Sequence, residues 1–280
     1  MEKRFVRKAR KIFQINKKKL YQSVLRKSDR QSILFIVGCQ RSGNSIMQDV
    51  FNKDLNAKSY HEFSEISSND TEAGIRLNAL DSVRKEFSRV KAPLIVLKPL
   101  VESQNVPELL SYFENGLALW MFRHYKDVAQ SNVKKFGPQN GINDLRPIMN
   151  GERNNWRSEK ASPQVRETVA RYFSEHMNPY DAAALFWYAR NSIFFDLELD
   201  QHPRVMMCSY EDFVLDPEKF VRSVYERLGK PYPDVNLTAE VHTNSRKKGK
   251  NIQLTPEIEQ LAADLYQRLS TAYRAQLLNR

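Results

Sequence analysis

Two glycines five residues apart, Gly38 and Gly43, bracket a loop that carries Arg41 and Ser42 and runs straight into Asn44 and Ser45. The chain has nine glycines in 280 residues, so this pair marks a sharp local turn. Such a loop turns successive backbone N–H groups inward and aims a helix start at the enclosed space, making an anion site suited to phosphate. The pattern is G-x-x-x-x-G-x-S, a phosphate-loop frame with Asn44 where nucleotide triphosphatases carry lysine. An amide cannot neutralise terminal phosphates, and no apolar strand ending in aspartate supplies the magnesium partner that those enzymes need. The cationic role therefore falls to Arg41.

A second cluster follows the apolar run Leu117–Phe122. Arg123 stands at its end, and Ser131 lies one helical turn beyond Asp127. A guanidinium and a hydroxyl emerging where a parallel strand ends can hold a second, separate phosphate. Taken alone, the segment is an ordinary helix start capped by Asp127; beside the first loop it becomes a second anion site.

The elements that must position these residues are legible as alternating apolar runs and helical patterns. Strands are expected at Ile33–Val37, Leu94–Lys98, Leu117–Phe122 and Arg204–Ser209, with a shorter one near Lys58–His61. Asp216-Pro217, Thr255-Pro256 and Asn178-Pro179 are explicit helix starts, and Gly229 ends the first of those helices. The order predicts an α/β fold with a mainly parallel central sheet flanked by helices. Residues 136–177 are polar, hold three glycines and no strand, and read as an insertion over the sheet without a core of its own. This gives an extension over residues 1–30 and one domain over 31–280.

Hydrophobic types at 41% and charged types at 28% exclude a disordered chain. The longest apolar stretches fall far short of the roughly 20 residues a bilayer span needs, and no signal-peptide pattern is present. Cys39 and Cys208 both sit in apolar runs, which argues against a disulfide framework and for a reducing, cytoplasmic setting. The net charge is +11, of which +10 lies in residues 1–30. The rest is nearly neutral, so a globally basic nucleic-acid binder is not expected. Phe5, Ala9, Ile12 and Phe13, then Leu20, Val24 and Leu25, follow helical spacing in the basic stretch. Such a helix is either attracted to an anionic membrane surface, giving a peripheral association, or simply laid on the domain with its charges outward.

Val37-Gly-Cys-Gln-Arg-Ser-Gly-Asn-Ser resembles the phosphosulfate-binding loop of sulfotransferases that use 3'-phosphoadenosine 5'-phosphosulfate, in the bacterial and Golgi-type form with arginine where cytosolic members carry lysine. That family usually has threonine where Asn44 stands. The Arg123-to-Ser131 interval is similar to the family's 3'-phosphate motif, with Arg-His-Tyr where many members read Arg-Asn-Pro. Tyr210-Glu-Asp-Phe resembles the family's later strand-to-helix turn, and Ser245-Arg-Lys-Lys-Gly-Lys its late basic loop.

The resemblance implies a P-loop-like sulfotransferase architecture and a nucleotide held by Arg41, Ser42, Gly43, Asn44, Ser45, Arg123 and Ser131. Arg246, Lys247, Lys248 and Gly249 would close over the 3'-phosphate. Tyr210 would approach the adenine; as a residue in its own right it is equally core packing. The donor would leave adenosine 3',5'-bisphosphate as product, with no metal required. Arg41 and Lys98 would stabilise the leaving oxygen. The cytosolic members' histidine base is absent after Lys98, and the Golgi-type glutamate, 21 residues beyond the loop arginine, falls on Glu62. Glu62 is thus the expected base, with His61 as substitute and His124 third.

The acceptor hydroxyl or amine is not identified. Trp156, Arg153, Arg157 and Arg166 of the insertion are compatible with a carbohydrate, an anionic glycan, a lipid headgroup or a phenol. Two rivals stay open from sequence: a P-loop kinase-like phosphotransferase, and a non-catalytic membrane- or polyanion-binding protein.

Overall fold

Strand β1 (Ser32–Gly38) is buried at every residue from Ile33 onward, as a parallel strand covered on both faces must be. Ile33, Phe35 and Val37 face one core and Leu34 and Ile36 the other. The computed structural model describes residues 16–28, 30–70, 74–245 and 248–278.

Within it a helix α1 spans residues 16–24. After β1 come α2 (Asn44–Asn52), β2 (Ala57–Tyr60), a hairpin of β3 (Ser67–Asp70) and β4 (Gly74–Leu77), α3 (Leu80–Ser88) and β5 (Leu94–Leu97). Then follow α4 (Val106–Tyr112), β6 (Gly116–Phe122), α5 (Tyr125–Phe136), α6 (Asn140–Met149), α7 (Pro163–Tyr172) and α8 (Pro179–Asp196). The chain continues through β7 (Val205–Ser209), α9 (Tyr210–Phe213), α10 (Pro217–Arg227) and α11 (Pro256–Leu278).

The central sheet has the order β2-β5-β1-β6-β7, with every pairing parallel. This is the α/β architecture expected from the sequence, and each expected strand is present within one residue or so at its ends. Helices α3 to α8 and α11 cover one face, while α2, α9 and α10 cover the other. From β1 the chain runs out to the β2 edge and returns through β5, then crosses to β6 on the opposite side of β1. The crevice between β1 and β6 is therefore a topological switch point, where the loops leaving two neighbouring strands diverge and a ligand fits between them.

Helices begin at all three starts read from sequence, and two of them carry side-chain caps. Asn178 Oδ1 accepts from Tyr180 N at 2.8 Å, and Asp216 Oδ1 from Lys219 N at 3.2 Å. Helix α8 is buried on nearly every side from Asp181 to Phe194, Arg190 and Asn191 included. In the 136–177 segment, α6 and α7 send Ile142, Leu145, Ile148, Val165 and Val169 into the core they share with α8. The β3–β4 hairpin was not foreseen. Both cysteines are buried and free, and burial pushes the Cys39 thiol up to about 12.

Helix α1 lies on the domain through polar side chains. Lys18 Nζ donates to Asn52 O at 2.6 Å, Tyr21 OH to Asn56 Oδ1 at 3.0 Å, and Gln22 Nε2 to Leu55 O at 2.9 Å and Ala57 O at 3.0 Å. Burial pushes the Lys18 amine down to about 8. Leu20 and Val24 instead point outward, 70% and 75% exposed. The earlier part of the expected basic helix, Phe5 to Phe13, lies outside the described residues. No helix among the described residues is long and apolar enough to cross a membrane.

Candidate functional site

The loop after β1 is shaped by two close approaches. At Gly38, φ is +116° and a Cβ would stand 2.3 Å from Met121 O on the neighbouring strand. At Gly43, φ is +100° and a Cβ would stand 2.4 Å from the Tyr210 ring. Only glycine fits either place. Arg41 between them is itself left-handed at φ 67°, a conformation that costs a side-chain-bearing residue free energy and persists only where its surroundings enforce it.

Asn44 turns its amide inward, and Nδ2 donates to Val37 O at 2.9 Å. It ties the start of α2 to the end of β1 and so does not replace the missing lysine as a cation. Ser42 is fully buried beneath the loop. The first-turn N–H groups of α2 are left facing the crevice, the arrangement that favours an anion.

Arg123 emerges from the end of β6, 5% exposed. Its Nη2 pairs with Asp127 Oδ2 at 3.2 Å, and its Nη1 is 3.5 Å from Arg41 O. The guanidinium carbon lies 4.4 Å from the centre of the Tyr210 ring. Asp127 Oδ1 meanwhile accepts from Gly249 N at 2.7 Å, so one carboxylate holds both the guanidinium and the late loop. Arg41 Nε donates to Ser131 Oγ at 3.0 Å, which brings the two clusters read from sequence into direct contact. Burial first, and then the charge of Arg123, lowers the Arg41 pKa from its ordinary value.

Across the loop, Lys98 Nζ lies 3.1 Å from Glu62 Oε2 and 3.4 Å from Ser45 Oγ. Glu62, Lys98, Arg41, Gly43, Asn44, Ser45, Arg123, Ser131 and Tyr210 all line one cavity of about 850 Å³. That size is within the roughly 300–1,000 Å³ of ordinary ligand pockets.

Other candidates fall elsewhere. His61 Nδ1 is 2.8 Å from Gln48 Oε1 and does not line the cavity. His124 caps α5, its Nδ1 accepting from Lys126 N at 3.3 Å, and burial lowers its pKa. Ser42 and Gly249 are near the cavity without lining it. Arg246 and Lys247 lie outside the described residues, as does the side chain of Lys248.

Trp156 and Arg157 of the insertion line the cavity, whereas Arg153 and Arg166 do not. Sequence reasoning missed Phe186 and Arg190 of α8 and Asn69 and Ile75 of the hairpin, which also line the cavity. The signal for Arg190 was present: one arginine inside the apolar run Ala182–Phe195.

Comparisons with known proteins bear on the family and the fold. A model of the sulfotransferase domain matches residues 31–263. Among solved structures, the sulfotransferase domain of the Synechococcus PCC 7002 olefin synthase superposes with a TM-score of 0.52 at 14% identity, over 88% of this chain and 98% of that one. A sulfotransferase domain from the curacin biosynthetic pathway gives 0.50 at 17% identity, over 87% and 99%. A sulfotransferase from Alicyclobacillus acidocaldarius gives 0.50 at 15%, over 89% and 96%. No curated protein matches the chain by sequence. At these identities the superpositions speak for the fold alone. The match over residues 31–263 goes further, and the chain belongs to the sulfotransferase family.

Proposed function

We propose that the protein transfers a sulfuryl group from 3'-phosphoadenosine 5'-phosphosulfate to a hydroxyl or amine of its acceptor, releasing adenosine 3',5'-bisphosphate. One observation carries this reading: the loop of Arg41 and the pair Arg123 and Ser131 open into the same cavity and touch through the Arg41–Ser131 hydrogen bond. A nucleotide with phosphates on both its 3' and 5' carbons needs two neighbouring anion grips of this kind.

The residues divide the work by position. Arg41 and the loop amides face the 5' end and take up the charge that grows on the bridging oxygen as the bond to sulfur breaks. Arg123, held flat by Asp127, and the Ser131 hydroxyl grip the 3'-phosphate. The late basic loop takes part in that grip, a role supported by the attachment of Gly249 to Asp127. Tyr210 supports the guanidinium of Arg123 and backs the Gly43 turn. Glu62 accepts the acceptor's proton as the new bond to sulfur forms, with Lys98 orienting its carboxylate from 3.1 Å. Glu62 has the better claim than His61, because it lines the cavity and His61 does not.

Calorimetric titration with adenosine 3',5'-bisphosphate, with and without magnesium, and with ATP plus magnesium tests the reading. Tight binding of the bisphosphate independent of metal is expected. Binding of ATP with magnesium alone would overturn it.

A further inference from the structure

Arg190 is 2% exposed and reaches the cavity wall from the middle of α8. Its Nη1 donates to Trp156 O at 3.0 Å and its Nη2 to Gln104 Oε1 at 2.9 Å. Both partners are neutral. Among the described residues no carboxylate lies within ion-pair distance of it; Glu159, which Gln104 reaches at 2.7 Å and which pairs with Arg76 at 3.0 Å, and Asp144, paired with Arg157, act on it only from farther off.

The other cations of the cavity are accounted for. Arg123 is paired with Asp127, Lys98 with Glu62 and Arg157 with Asp144. Lys134 and Lys135 are exposed to solvent, and Arg41 faces the nucleotide in the reading above. Burial pushes the Arg190 guanidinium down to about 10, which leaves it charged at neutral pH. A buried cation with no directly paired counter-ion is costly, and an anion arriving from the cavity lowers that cost while making charge-assisted hydrogen bonds. The surrounding wall suits a ligand with a flat or apolar body. Trp156 lies beneath Arg157 and Arg190 at 4.5 and 5.1 Å, and Phe186 and Val101 stand beside it.

We propose that the acceptor is itself an anion: a hydroxyl compound whose oxyanion group is held by Arg190, with Arg157 beside it, while its hydroxyl is presented to Glu62. This rests on the sulfuryl-transfer reading. The acceptor oxygen forms the bond to sulfur and its proton goes to Glu62, so the anionic group is spectator and anchor.

The test uses the full chain, labelled sulfate donor and matched acceptor pairs: 4-hydroxybenzoate against its methyl ester, glucuronate against glucuronamide, and 4-hydroxybenzylphosphonate against its diethyl ester. At least one anion is expected to exceed its neutral match at least tenfold in kcat/KM, and the pair that does so tells carboxylate from phosphorus oxyanion. Arg190→Gln should bring that ratio to within about twofold with bisphosphate affinity unchanged, while Arg190→Lys keeps most of the preference. A purely structural role would lower both members of a pair alike and preserve the ratio, which overturns the proposal. Should Arg190→Gln not fold, binding of acid and neutral match to the wild-type bisphosphate complex decides the matter. Equal response to both members of every pair, or response to none, overturns it. The bisphosphate titration is measured separately and reports on the sulfuryl-transfer reading alone.

Discussion

Arg41 Nε donates to Ser131 Oγ at 3.0 Å across 90 positions of sequence. The hydroxyl accepts with a lone pair, so its own proton stays available to a phosphate oxygen. One short contact thus orders the loop arginine and aims the serine at the same time. Ser131→Ala removes both effects. A hydrogen bond to a charged group contributes about 1.5–3 kcal/mol, so the Kd for adenosine 3',5'-bisphosphate should rise by one to two orders of magnitude in calorimetry. An unchanged Kd would remove Ser131 from the 3' grip.

Glu62→Gln keeps the size and the hydrogen bond to Lys98 but cannot take a proton. General-base catalysis contributes roughly 10²–10⁴-fold, so kcat should fall by at least about a hundredfold while bisphosphate affinity survives. Near-normal turnover in a labelled-sulfate assay would refute the assignment, and a matching loss in His61→Asn would move it one residue back.

Gly43→Ala drives a methyl group into the Tyr210 ring from a left-handed backbone. Strain of this kind costs on the order of 1–3 kcal/mol, and melting should fall by several degrees together with loss of nucleotide binding. Gly229→Ala is the control. That glycine is also left-handed, at φ 63°, but a Cβ there meets nothing, so stability drops while nucleotide binding remains.

His124 titrates in a defined direction. Burial lowers its folded-state pKa below the unfolded value of about 6.5. Between those two values the unfolded chain holds more protons, so stability rises with pH and is lost as pH falls through that window. Protonation also removes the Nδ1 acceptor that caps Lys126 N. The melting temperature of the wild type should therefore drop more steeply below pH 6.5 than that of His124→Asn, which caps without titrating.

Helix α1 gives a two-part expectation. Removing residues 1–24 takes away the bonds from Lys18, Tyr21 and Gln22 and should lower the melting temperature. Outward Leu20 and Val24 beside Lys17 and Lys19 suit an anionic lipid surface, at about 1 kcal/mol per basic residue near it. Co-sedimentation with phosphatidylserine vesicles should weaken in Leu20→Ser/Val24→Ser. Equal pelleting of that variant would leave the helix as a plain flank of the domain.

The sheet and the first anion loop are legible in the sequence because both faces of β1 are covered, which leaves an unbroken apolar run ending in a glycine. Asn178-Pro179 and Asp216-Pro217 were legible because a cap is local chemistry. The β3–β4 hairpin was not, since Ser67–Asp70 is polar and carries no alternation to reveal a strand. Arg190 escaped for the opposite reason. It is conspicuous as the one arginine of the apolar run Ala182–Phe195, but helix α8 is buried nearly all round, so no polar stripe tells which way that cation points. Glu62 could be counted from the loop, but its Lys98 partner comes from another strand and only the folded sheet brings the two together.

Strands β1 and β6 lie side by side in one ladder, Gly38 opposite Met121; Arg123 follows β6 directly, and Arg41 stands in the loop just past the end of β1. The gauge between the two strand ends from which those arginines depart is main-chain spacing, about 4.8 Å between neighbouring strands. Exchanging side chains in the sheet leaves that ruler alone, save at Gly38, where a Cβ would meet Met121 O. A spacing set by the backbone asks for no particular side chain, and the fold that carries it superposes on other sulfotransferase structures at 14–17% identity.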